Sequence, residues 1–558
     1  MTRAIEFFTR GIVAGILLAP AVGAAQTRLP LKHAPKPTTQ AITADDALTR
    51  LYIFADDSMQ GRRAGEAGGL RGTAYIEREV RRLGLVPAGD SGTFFQSVPL
   101  ISRTVDMSSP LKADDEPIVL GTDVLPVGIS GIPASLDGGQ VVFAGDATDS
   151  SRSIPASQAT GKVVLVTSSG ASAGQRYPGA VAVITVIQPD QFARLRGFAS
   201  GRSTRMRSDA DTVHTRLTLA VPASSVQKLL GVPLTNARPG TLGRTFHGTV
   251  RFATTPAPAR NVVAILGGSD PKLRGEYVAL GAHNDHLGLR RQGPLDHDSL
   301  KAYNEAAERI YAARTHEGTE FPGSGLTAEE RASIHVNVDS LHQLRPARLD
   351  SIYNGADDDG SGSVGLLEVA ESFALAREKP KRSLIFVWHT GEELGLYGSQ
   401  WFTDHPTIPR DSIVAQLNMD MIGRGESADI PGGGPHYVEL IGSRRLSTEL
   451  GDIVESVNKS GRHNFTFDYA FDATGHPEQI YCRSDHYEYA RYGIPITFIT
   501  TGGHSDYHQL TDEPQYINYP HLASVASFVA DVAAHIANLD HRVVVDKPKP
   551  DPKGRCVQ

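Results

Sequence analysis

The sequence predicts an α/β protein with a central mixed, largely parallel sheet, joined to a separate β-rich segment. Three observations lead to this class. From residue 259 to 540, short apolar runs alternate with segments of helical period, which is typical of a sheet covered by helices. Between residues 100 and 258, short β-type runs are punctuated by glycine and proline. The composition, 40% hydrophobic and 21% charged residues, allows a large core.

Charge and hydropathy exclude several classes of partner. The net charge of −7 does not suit a nucleic-acid-binding protein, which needs a concentrated basic surface. After the N-terminal stretch, no segment of the sequence reaches the roughly 18 apolar residues of a membrane span. We therefore expect no nucleic-acid partner and no membrane span in the mature chain. The oligomeric state stays open.

The N-terminal residues have the features of an export signal. A short basic start precedes the apolar stretch GIVAGILLAPAVGAA, which ends in small residues. This pattern predicts a signal peptide at residues 1–25 and an exported protein, periplasmic or secreted. Residues 26–42 are rich in proline and are expected to form a linker.

Segments of helical period flank and interrupt the two main parts. Residues 43–99 contain ADDALTRLYIF and LRGTAYIEREVRRLGL, and we expect these to form helices that pack on the α/β domain. Residues 289–354 are rich in helix formers and break the strand–helix alternation. This predicted helical insertion could be a lid, a change to the substrate pocket or a solvent-facing addition.

The C-terminal segment, residues 541–558, contains KPKPDPKGRC and is predicted to be a disordered tail. The chain has only two cysteines, so no disulfide framework holds the fold. A bridge between Cys482 and Cys556 is one possibility in an oxidising compartment.

Charged side chains follow several predicted strands, where sites gather in sheets of this type. His283 and Asp285 lie two apart in YVALGAHNDHLG and would project to the same side of a continued strand. A metal-bound imidazole commonly gives its other N–H to a carboxylate. His283 is therefore a candidate metal ligand and Asp285 its orienting partner, whereas a surface histidine near an acid is the alternative.

Three aspartates, 357–359, stand before a predicted helix in NGADDDGSGSVG. Taken alone, this pattern indicates an acidic N-cap, because carboxylates satisfy free N–H groups and favour the positive end of a helix. The same run has GxGxxG spacing. A dinucleotide site is excluded, because no convincing strand precedes the run and three negative charges would repel a pyrophosphate.

Two adjacent glutamates, Glu392 and Glu393, follow the apolar run SLIFVW in HTGEELG. Adjacent side chains diverge at a strand end, so one can bind a metal while the other contacts a water molecule. A hydrolytic zinc site needs both roles, because the metal acidifies water and a carboxylate accepts the proton. A solvated turn is the alternative.

Asp420 ends a further apolar run in LNMDMIGR. A buried carboxylate requires a partner, either a metal or an arginine such as Arg424. Histidines are dense near the end of the domain, and spacing alone does not choose among residues 486, 504 and 508. A serine triad built from residues 504–506 is disfavoured, because consecutive residues rarely converge and no GxSxG motif is present.

In this order, the motifs HND, GADDDGSG, GEELGLYGS, NMDMIGR, SDH and DYHQLTD resemble those of one family. This is the co-catalytic dizinc peptidases of the bacterial leucyl aminopeptidase and glutamate carboxypeptidase family, metallopeptidase family twenty-eight. The resemblance covers about residues 260–539 and implies a zinc-peptidase fold for a catalytic domain at 259–540. The segment 100–258 resembles the protease-associated domain that many members carry.

The resemblance also implies roles for individual residues. Five ligands would hold two zinc ions or other divalent metals. His283 and Asp420 would bind one ion, and Glu393 and His508 the other. Asp358 would bridge the two ions. Glu392 would be the general base and Asp285 the partner of His283. Asp485 matches a recurrent active-site acid, and Tyr481 would either contact the oxyanion or pack in the core.

The function expected from this resemblance is that of an exported zinc-dependent aminopeptidase acting on peptides. A carboxypeptidase or dipeptidase is the alternative, and it would need a basic residue such as Arg424 or Arg483 at the substrate carboxylate. Glutaminyl cyclases share the fold with one zinc, and the five-ligand set counts against them. A receptor-like binder without catalysis is disfavoured, because every ligand and the base remain.

Overall fold

The computed structural model describes residues 29–127, 131–168, 170–199, 201–315, 326–344, 346–430 and 432–558. The predicted signal peptide lies outside the described residues. Within them, no helix is both long and apolar enough to cross a membrane.

The N-terminal segment contributes helices and one long strand to the α/β domain. Its elements are α1 (Ala44–Phe54), α2 (Ala67–Arg82), β1 (Val86–Pro87) and β2 (Phe95–Val105). Helix α1 begins at Thr43, whose side chain accepts a hydrogen bond from the backbone N–H of Asp46 at 3.1 Å. The apolar face of α1 packs against two helices of the α/β domain, α10 (Gly362–Leu375) and α14 (Tyr519–Asn538).

The β-rich module has its own sheet and its own core. Its strands are β3 (Leu111–Ala113), β4 (Glu116–Ile118), β5 (Leu125–Pro126), β6 (Ile132–Pro133), β7 (Gly139–Gly145), β8 (Val163–Val166), β9 (Ala182–Ile187), β11 (His214–Thr215), β12 (Leu217–Pro222) and β13 (Leu242–Gly248). Strand β10 (Ser203–Met206) lies in the same stretch of sequence but pairs with β2 in the sheet of the α/β domain. Its helices are α3 (Ala156–Ala159), α4 (Gly170–Arg176), α5 (Pro189–Ala199) and α6 (Val226–Leu230). Eight of the strands form one sheet in the order β4-β3-β13-β7-β8-β9-β12-β5.

The boundaries of this module differ from the predicted 100 and 258. Strand β2 pairs with β14 (Phe252–Leu266) along an antiparallel ladder that runs from Val105 opposite Phe252 to Phe95 opposite Val262. Both strands belong to the sheet of the α/β domain. The module therefore lies between residues 105 and 252, because two long strands, and not loops, connect it to the rest of the chain.

The α/β domain is built on a ten-stranded mixed sheet. Its further strands are β15 (Tyr277–His283), β16 (Gly288–Leu289), β17 (Leu295–Asp296), β18 (Leu349–Asp350), β19 (Ile352–Tyr353), β20 (Ser383–His389), β21 (Ile413–Met419), β22 (Tyr437–Ile441), β23 (Thr466–Asp468) and β24 (Ile496–Thr500). Its helices are α7 (His297–Thr315), α8 (Ala328–Ser333), α9 (Val338–Leu344), α10 (Gly362–Leu375), α11 (Tyr397–Asp404), α12 (Thr448–Lys459), α13 (His486–Ala490) and α14 (Tyr519–Asn538).

The order of strands in the sheet is β10-β2-β14-β20-β15-β21-β24-β22-β23, with β1 also paired to β14. The central strands β20, β15, β21 and β24 are parallel, and β14 and β22 flank them in antiparallel orientation. The four central strands are almost entirely buried, as expected for parallel strands with both faces covered. This architecture confirms the predicted fold class.

The parallel strands end at one edge of the sheet, and that edge carries the candidate site. His283 at the end of β15 lies in register with His389 at the end of β20. Strand β21 ends directly before Asp420. Because the carboxyl ends of parallel strands share an edge, the residues that follow them meet although they are far apart in sequence.

The C-terminal segment is not the disordered tail predicted from its composition. Val543 is buried in the core of the α/β domain, and Cys556 forms a disulfide with Cys482. The side chain of Gln558 accepts a hydrogen bond from the backbone N–H of Tyr481 at 3.0 Å. Lysine and proline content carries no information about such long-range contacts. The prediction of a disordered tail from composition was wrong for this reason.

Candidate metal centre

The first group of candidate ligands converges on the imidazole at the end of β15. Nε2 of His283 lies 3.1 Å from Oδ1 of Asp358 and 3.5 Å from Oδ1 of Asp420. One donor atom from each of these three buried side chains lies within 4.8 Å of the other two. Asp420 also accepts a hydrogen bond of 2.7 Å from the hydroxyl of Ser484, which orients its carboxylate.

The second group shares Asp358 with the first. Nε2 of His508 lies 3.0 Å from Oδ2 of Asp358 and 3.0 Å from Oε2 of Glu393. His286 is also present, with Nδ1 at 2.6 Å from Oε1 of Glu393 and 3.5 Å from Oδ2 of Asp358. The structure thus brings together all five ligands predicted from the sequence and adds one imidazole to them.

His286 is the functional candidate that sequence reasoning missed. It stands directly after Asp285 in the motif HNDH, and the motif was interpreted only through its first histidine and its aspartate. The sequence feature that could have predicted it is the presence of three potential ligands within four residues at a strand end. Its side chain is fully buried against the loop before α10, where Gly355 leaves space for the ring.

The carboxylate of Glu392 lies at the edge of the first group, with Oε2 at 4.0 Å from Nε2 of His283. Burial raises the pKa of Glu392 well above its ordinary value, while the neighbouring His283 opposes this. A carboxyl group with a raised pKa is a better proton acceptor and donor near neutral pH. Glu392 and Glu393 therefore face the same site from different positions, because adjacent side chains diverge from the backbone.

Asp285 contacts His283 differently from the prediction. Nδ1 of His283 lies 3.1 Å from the backbone carbonyl oxygen of Asp285 and 3.8 Å from its carboxylate. The carboxylate instead accepts a hydrogen bond of 3.1 Å from the backbone N–H of Glu392. Burial raises the pKa of Asp285 to about 7. Asp285 thus links the strand end that carries His283 to the turn that carries the two glutamates.

The three aspartates before α10 have three separate tasks. Asp358 projects into the site, as described above. Asp359 accepts hydrogen bonds from the backbone N–H groups of His283 at 3.0 Å and of Gly362, in the first turn of α10, at 2.9 Å. Asp357 accepts one from Gly423 at 2.7 Å. The capping interpretation therefore applies to Asp359 and the ligand interpretation to Asp358.

The loop that carries His508 is held by charged neighbours. Asp506 is fully buried and contacts Nζ of Lys301 at 2.8 Å and Nη1 of Arg424 at 3.0 Å. Lys301 belongs to α7 of the insertion, so this helix supports the loop of the candidate ligand. Arg424 also contacts Asp429 at 2.5 Å. The partner of Asp420 is therefore not Arg424, whose guanidinium is engaged by two other carboxylates.

Two further predicted site residues lie near the metal-ligand groups but in different environments. Asp485 is fully buried, with Oδ2 at 3.3 Å from Nδ1 of His389. Tyr481 packs against His486 and Tyr487, and its ring lies under the guanidinium of Arg445. Its ring belongs to an apolar cluster beside the sheet, and this favours the packing alternative over an oxyanion contact.

A cleft opens onto the first metal-ligand group and the shared Asp358. Carboxylates of Asp358, Glu392 and Asp420 line one part of it. Apolar side chains line another part, and they come from Met421, Phe471, Ile480 and Phe498. Arg483, Glu439 and Tyr507 also line the cleft, and the ring of Tyr507 stacks on His508 at 3.9 Å between centroids.

The donor set fits divalent metal ions. His, Asp and Glu without cysteine are the ligands of hydrolytic zinc sites. Burial works to lower the pKa of His508, but Glu393 and Asp358 raise it to about 11. Burial works to raise the pKa of Asp358, but the imidazoles of His286, His283 and His508 hold it well below its ordinary value. Perturbed pKa values of this kind cluster at functional sites.

Fold and donor set together define an α/β domain with a site for divalent cations at the carboxyl edge of its sheet. Residues 328–533 match the family model of Peptidase family M28. Over these residues the chain is similar to that family.

Two fungal proteins are similar to part of the chain. Leucine aminopeptidase 1 of Aspergillus fumigatus is 28% identical over 216 residues, which are 37% of this chain and 52% of the relative. Leucine aminopeptidase 1 of Coccidioides posadasii is 29% identical over 215 residues, with the same coverage of 37% and 52%. The chain thus spans about half the length of these curated relatives.

A solved structure is similar over nearly the whole chain. The aminopeptidase from Aneurinibacillus sp. strain AM-1 superposes with a TM-score of 0.50 at 15% identity, covering 92% of this chain and 98% of that one. This likeness supports the fold.

Proposed function

We propose that this protein is a zinc-dependent aminopeptidase that removes N-terminal residues from peptides. The observation that carries the proposal is the pair of metal-ligand groups that share Asp358, with the carboxylate of Glu392 beside them in an open cleft. His283 and Asp420 would hold one ion, Glu393 and His508 the other. Ions held there would polarise a scissile carbonyl and lower the pKa of a water molecule to about 7.

The residues of the chain supply the proton transfers and the orientation. Glu392 accepts a proton from the attacking water and returns it to the leaving amine. Asp285 fixes the backbone of Glu392 through its N–H, so the carboxylate keeps its place relative to His283. The hydroxyl of Ser484 and the N–H groups bound by Asp359 hold the ligand loops in the same way.

An aminopeptidase is favoured over a carboxypeptidase by the charges around the cleft. Its acidic part, Asp358, Glu392 and Asp420, favours a substrate ammonium group over a carboxylate. Arg424, one candidate for binding a substrate carboxylate, is already engaged by Asp429 and Asp506. Arg483 does line the cleft, so it is the residue through which a carboxypeptidase would act.

The test is an assay of short peptides with free or blocked ends, with and without a chelator. The proposal predicts that acetylation of the N-terminus abolishes cleavage, that amidation of the C-terminus does not, and that chelation removes all activity until zinc is restored. Loss of cleavage on amidation alone would instead identify a carboxypeptidase. Zinc binding without cleavage of any peptide would identify a receptor-like binder.

We also propose export and a protease-associated character for the β-rich module. The disulfide between Cys482 and Cys556 supports export, because such bonds persist in oxidising compartments. The separate core and sheet of the module support its treatment as an inserted domain. Fractionation of cells that express the full chain, with N-terminal sequencing of the mature protein, tests the export proposal.

A further inference from the structure

A buried arginine from the N-terminal segment lies beneath the metal-ligand loops. Arg62 follows α1 in a tight turn, and its side chain is completely buried. Its guanidinium donates four hydrogen bonds to backbone carbonyls. They go to Phe54 at 3.1 Å, Asn284 at 3.2 Å, Asn354 at 2.6 Å and Gly355 at 2.7 Å.

Three of these four carbonyls belong to the loops that carry candidate ligands. Asn284 directly follows His283, and Gly355 stands three residues before Asp358. The planar guanidinium offers five donors in a rigid fork, so it fixes the separation and angle of the groups it binds. Arg62 therefore connects the loop of the first imidazole to the loop of the shared aspartate.

The turn around Arg62 is pressed against the same two loops. Arg62 has a φ of +47°, and Gly61 before it has a φ of +63°. A Cβ atom on Gly61 would lie 2.5 Å from the carbonyl oxygens of both Gly288 and Tyr353. Arg63 adds a hydrogen bond of 3.0 Å to the carbonyl of Leu287. Only a glycine in this conformation lets the turn approach so closely.

The charge of Arg62 also faces the acid-rich site. Four buried aspartates act on the guanidinium through space, and they are Asp285, Asp358, Asp359 and Asp512. A buried cation is costly unless polar groups compensate it. Here carbonyl dipoles solvate the cation while its charge reduces the mutual repulsion of the aspartates.

We propose that Arg62 is a positioning residue for the metal centre, which sets the distance between the loops of His283 and Asp358 by bridging their backbones. The inference rests on the proposed function, since it assigns a role at the same site. Arg62 lies outside residues 328–533, the part that matches the M28 family. The N-terminal segment is then part of the metal-binding unit.

The test uses the full chain after removal of metal, with zinc affinity measured by competition with a chromophoric chelator. For Arg62→Lys and Arg62→Ala we expect zinc affinity to fall about 10–100-fold, the usual effect of losing a group that supports metal ligands. Guanidinium ion added to Arg62→Ala should restore much of the affinity, because it refills the site between the loops. A purely structural defect elsewhere would not respond in this way.

Arg50 offers a matched control. It is an equally buried arginine of the same segment, but it pairs with Glu368 and Glu371 of α10 and not with a ligand loop. Arg50→Lys should lower the melting temperature and leave zinc affinity unchanged. If the Arg62 variants do not fold, the same measurement is made on Gly61→Ala, which keeps the arginine and moves the turn. Gly61→Ala should weaken zinc binding to a similar degree.

The possible outcomes separate the two proposals. The role of Arg62 is overturned if folded Arg62→Lys and Arg62→Ala bind zinc as tightly as wild type. Where these two do not fold, wild-type zinc affinity in Gly61→Ala overturns it in the same way. Either result leaves the proposed function standing. Weakened zinc binding in Arg62→Ala that guanidinium does not restore also overturns it. A wild-type chain that binds no zinc at all overturns the proposed function itself.

Discussion

Nδ1 of His286 lies 2.6 Å from Oε1 of Glu393, while Oε2 of the same carboxylate faces Nε2 of His508 at 3.0 Å. One oxygen of Glu393 is therefore fixed by His286, and the other is directed towards His508. A histidine that fixes a ligand in this way supports the metal without being one of the five ligands predicted from sequence.

Replacement of His286 should weaken metal binding. For His286→Ala we expect zinc affinity to fall about 10–100-fold, because Glu393 loses the partner that holds its orientation. His286→Gln, which keeps a donor, should lose less. Zinc affinity is measured by chelator competition on the stripped protein. His463→Ala is the control, since His463 is a buried histidine paired with Asp531, outside both metal-ligand groups. Equal zinc affinity in wild type and His286→Ala would contradict this prediction.

Replacement of Glu392 should separate catalysis from metal binding. Glu392→Gln is expected to lower turnover by about 10³-fold, because the amide cannot accept the proton of water. Zinc content should stay as in wild type, since the five proposed ligands are unchanged. The measurements are kcat on an unblocked peptide and zinc per chain. Comparable turnover in a zinc-loaded variant would exclude Glu392 as the base.

Stability should depend on pH through Glu513, which supports the loop of His508 from its far end. Burial works to raise the pKa of Glu513, but His297 and Arg348 hold it below its ordinary value of 4.5. An acid with a lowered pKa in the folded state adds stability above its ordinary pKa, and this is lost as the pH falls through the lower value. Glu513→Gln should thus cost about 1 kcal/mol near pH 7 and progressively less in acid.

Thermal unfolding of wild type and Glu513→Gln from about pH 7 to about pH 3.5 tests this prediction. The gap between their melting temperatures should close as the pH falls. Glu329→Gln, at an exposed position of α8, should leave the melting temperature unchanged throughout. A gap between Glu513→Gln and wild type that stays constant with pH would show that the ionised carboxylate is not what stabilises the loop.

The disulfide should stabilise the folded chain strongly. Cys482 and Cys556 are 74 residues apart, and closing a loop of this length is worth about 4 kcal/mol in the chain-entropy account. We expect Cys556→Ser to unfold at lower denaturant concentration than wild type. A reductant should bring wild type to the behaviour of the variant and have no effect on the variant. A wild-type midpoint insensitive to reductant would rule this stabilisation out.

The fold class and the similarity to Peptidase family M28 were predictable from local patterns of the sequence. Buried parallel strands appear as apolar runs, and residues such as His283 and Asp420 stand where those runs end. Since strand ends share an edge in such a sheet, the pattern also predicted that these side chains would meet. The ordered motifs then indicated which acids and imidazoles to choose, and the structure places all five within two adjoining groups.

Only the tertiary structure decided which groups hold those ligands in place. Arg62 donates hydrogen bonds to backbone carbonyls, which every residue type has. The identity of those residues therefore could not predict these contacts. His286 gained its role from the approach of Glu393, 107 residues later in the chain. The ordered C-terminal segment depends on Cys482 in the same way. Periodicity and composition report a residue's neighbours along the chain, whereas such contacts arise from neighbours in space. The sequence by itself therefore predicted the candidate ligands, and the folded chain decided which groups surround them.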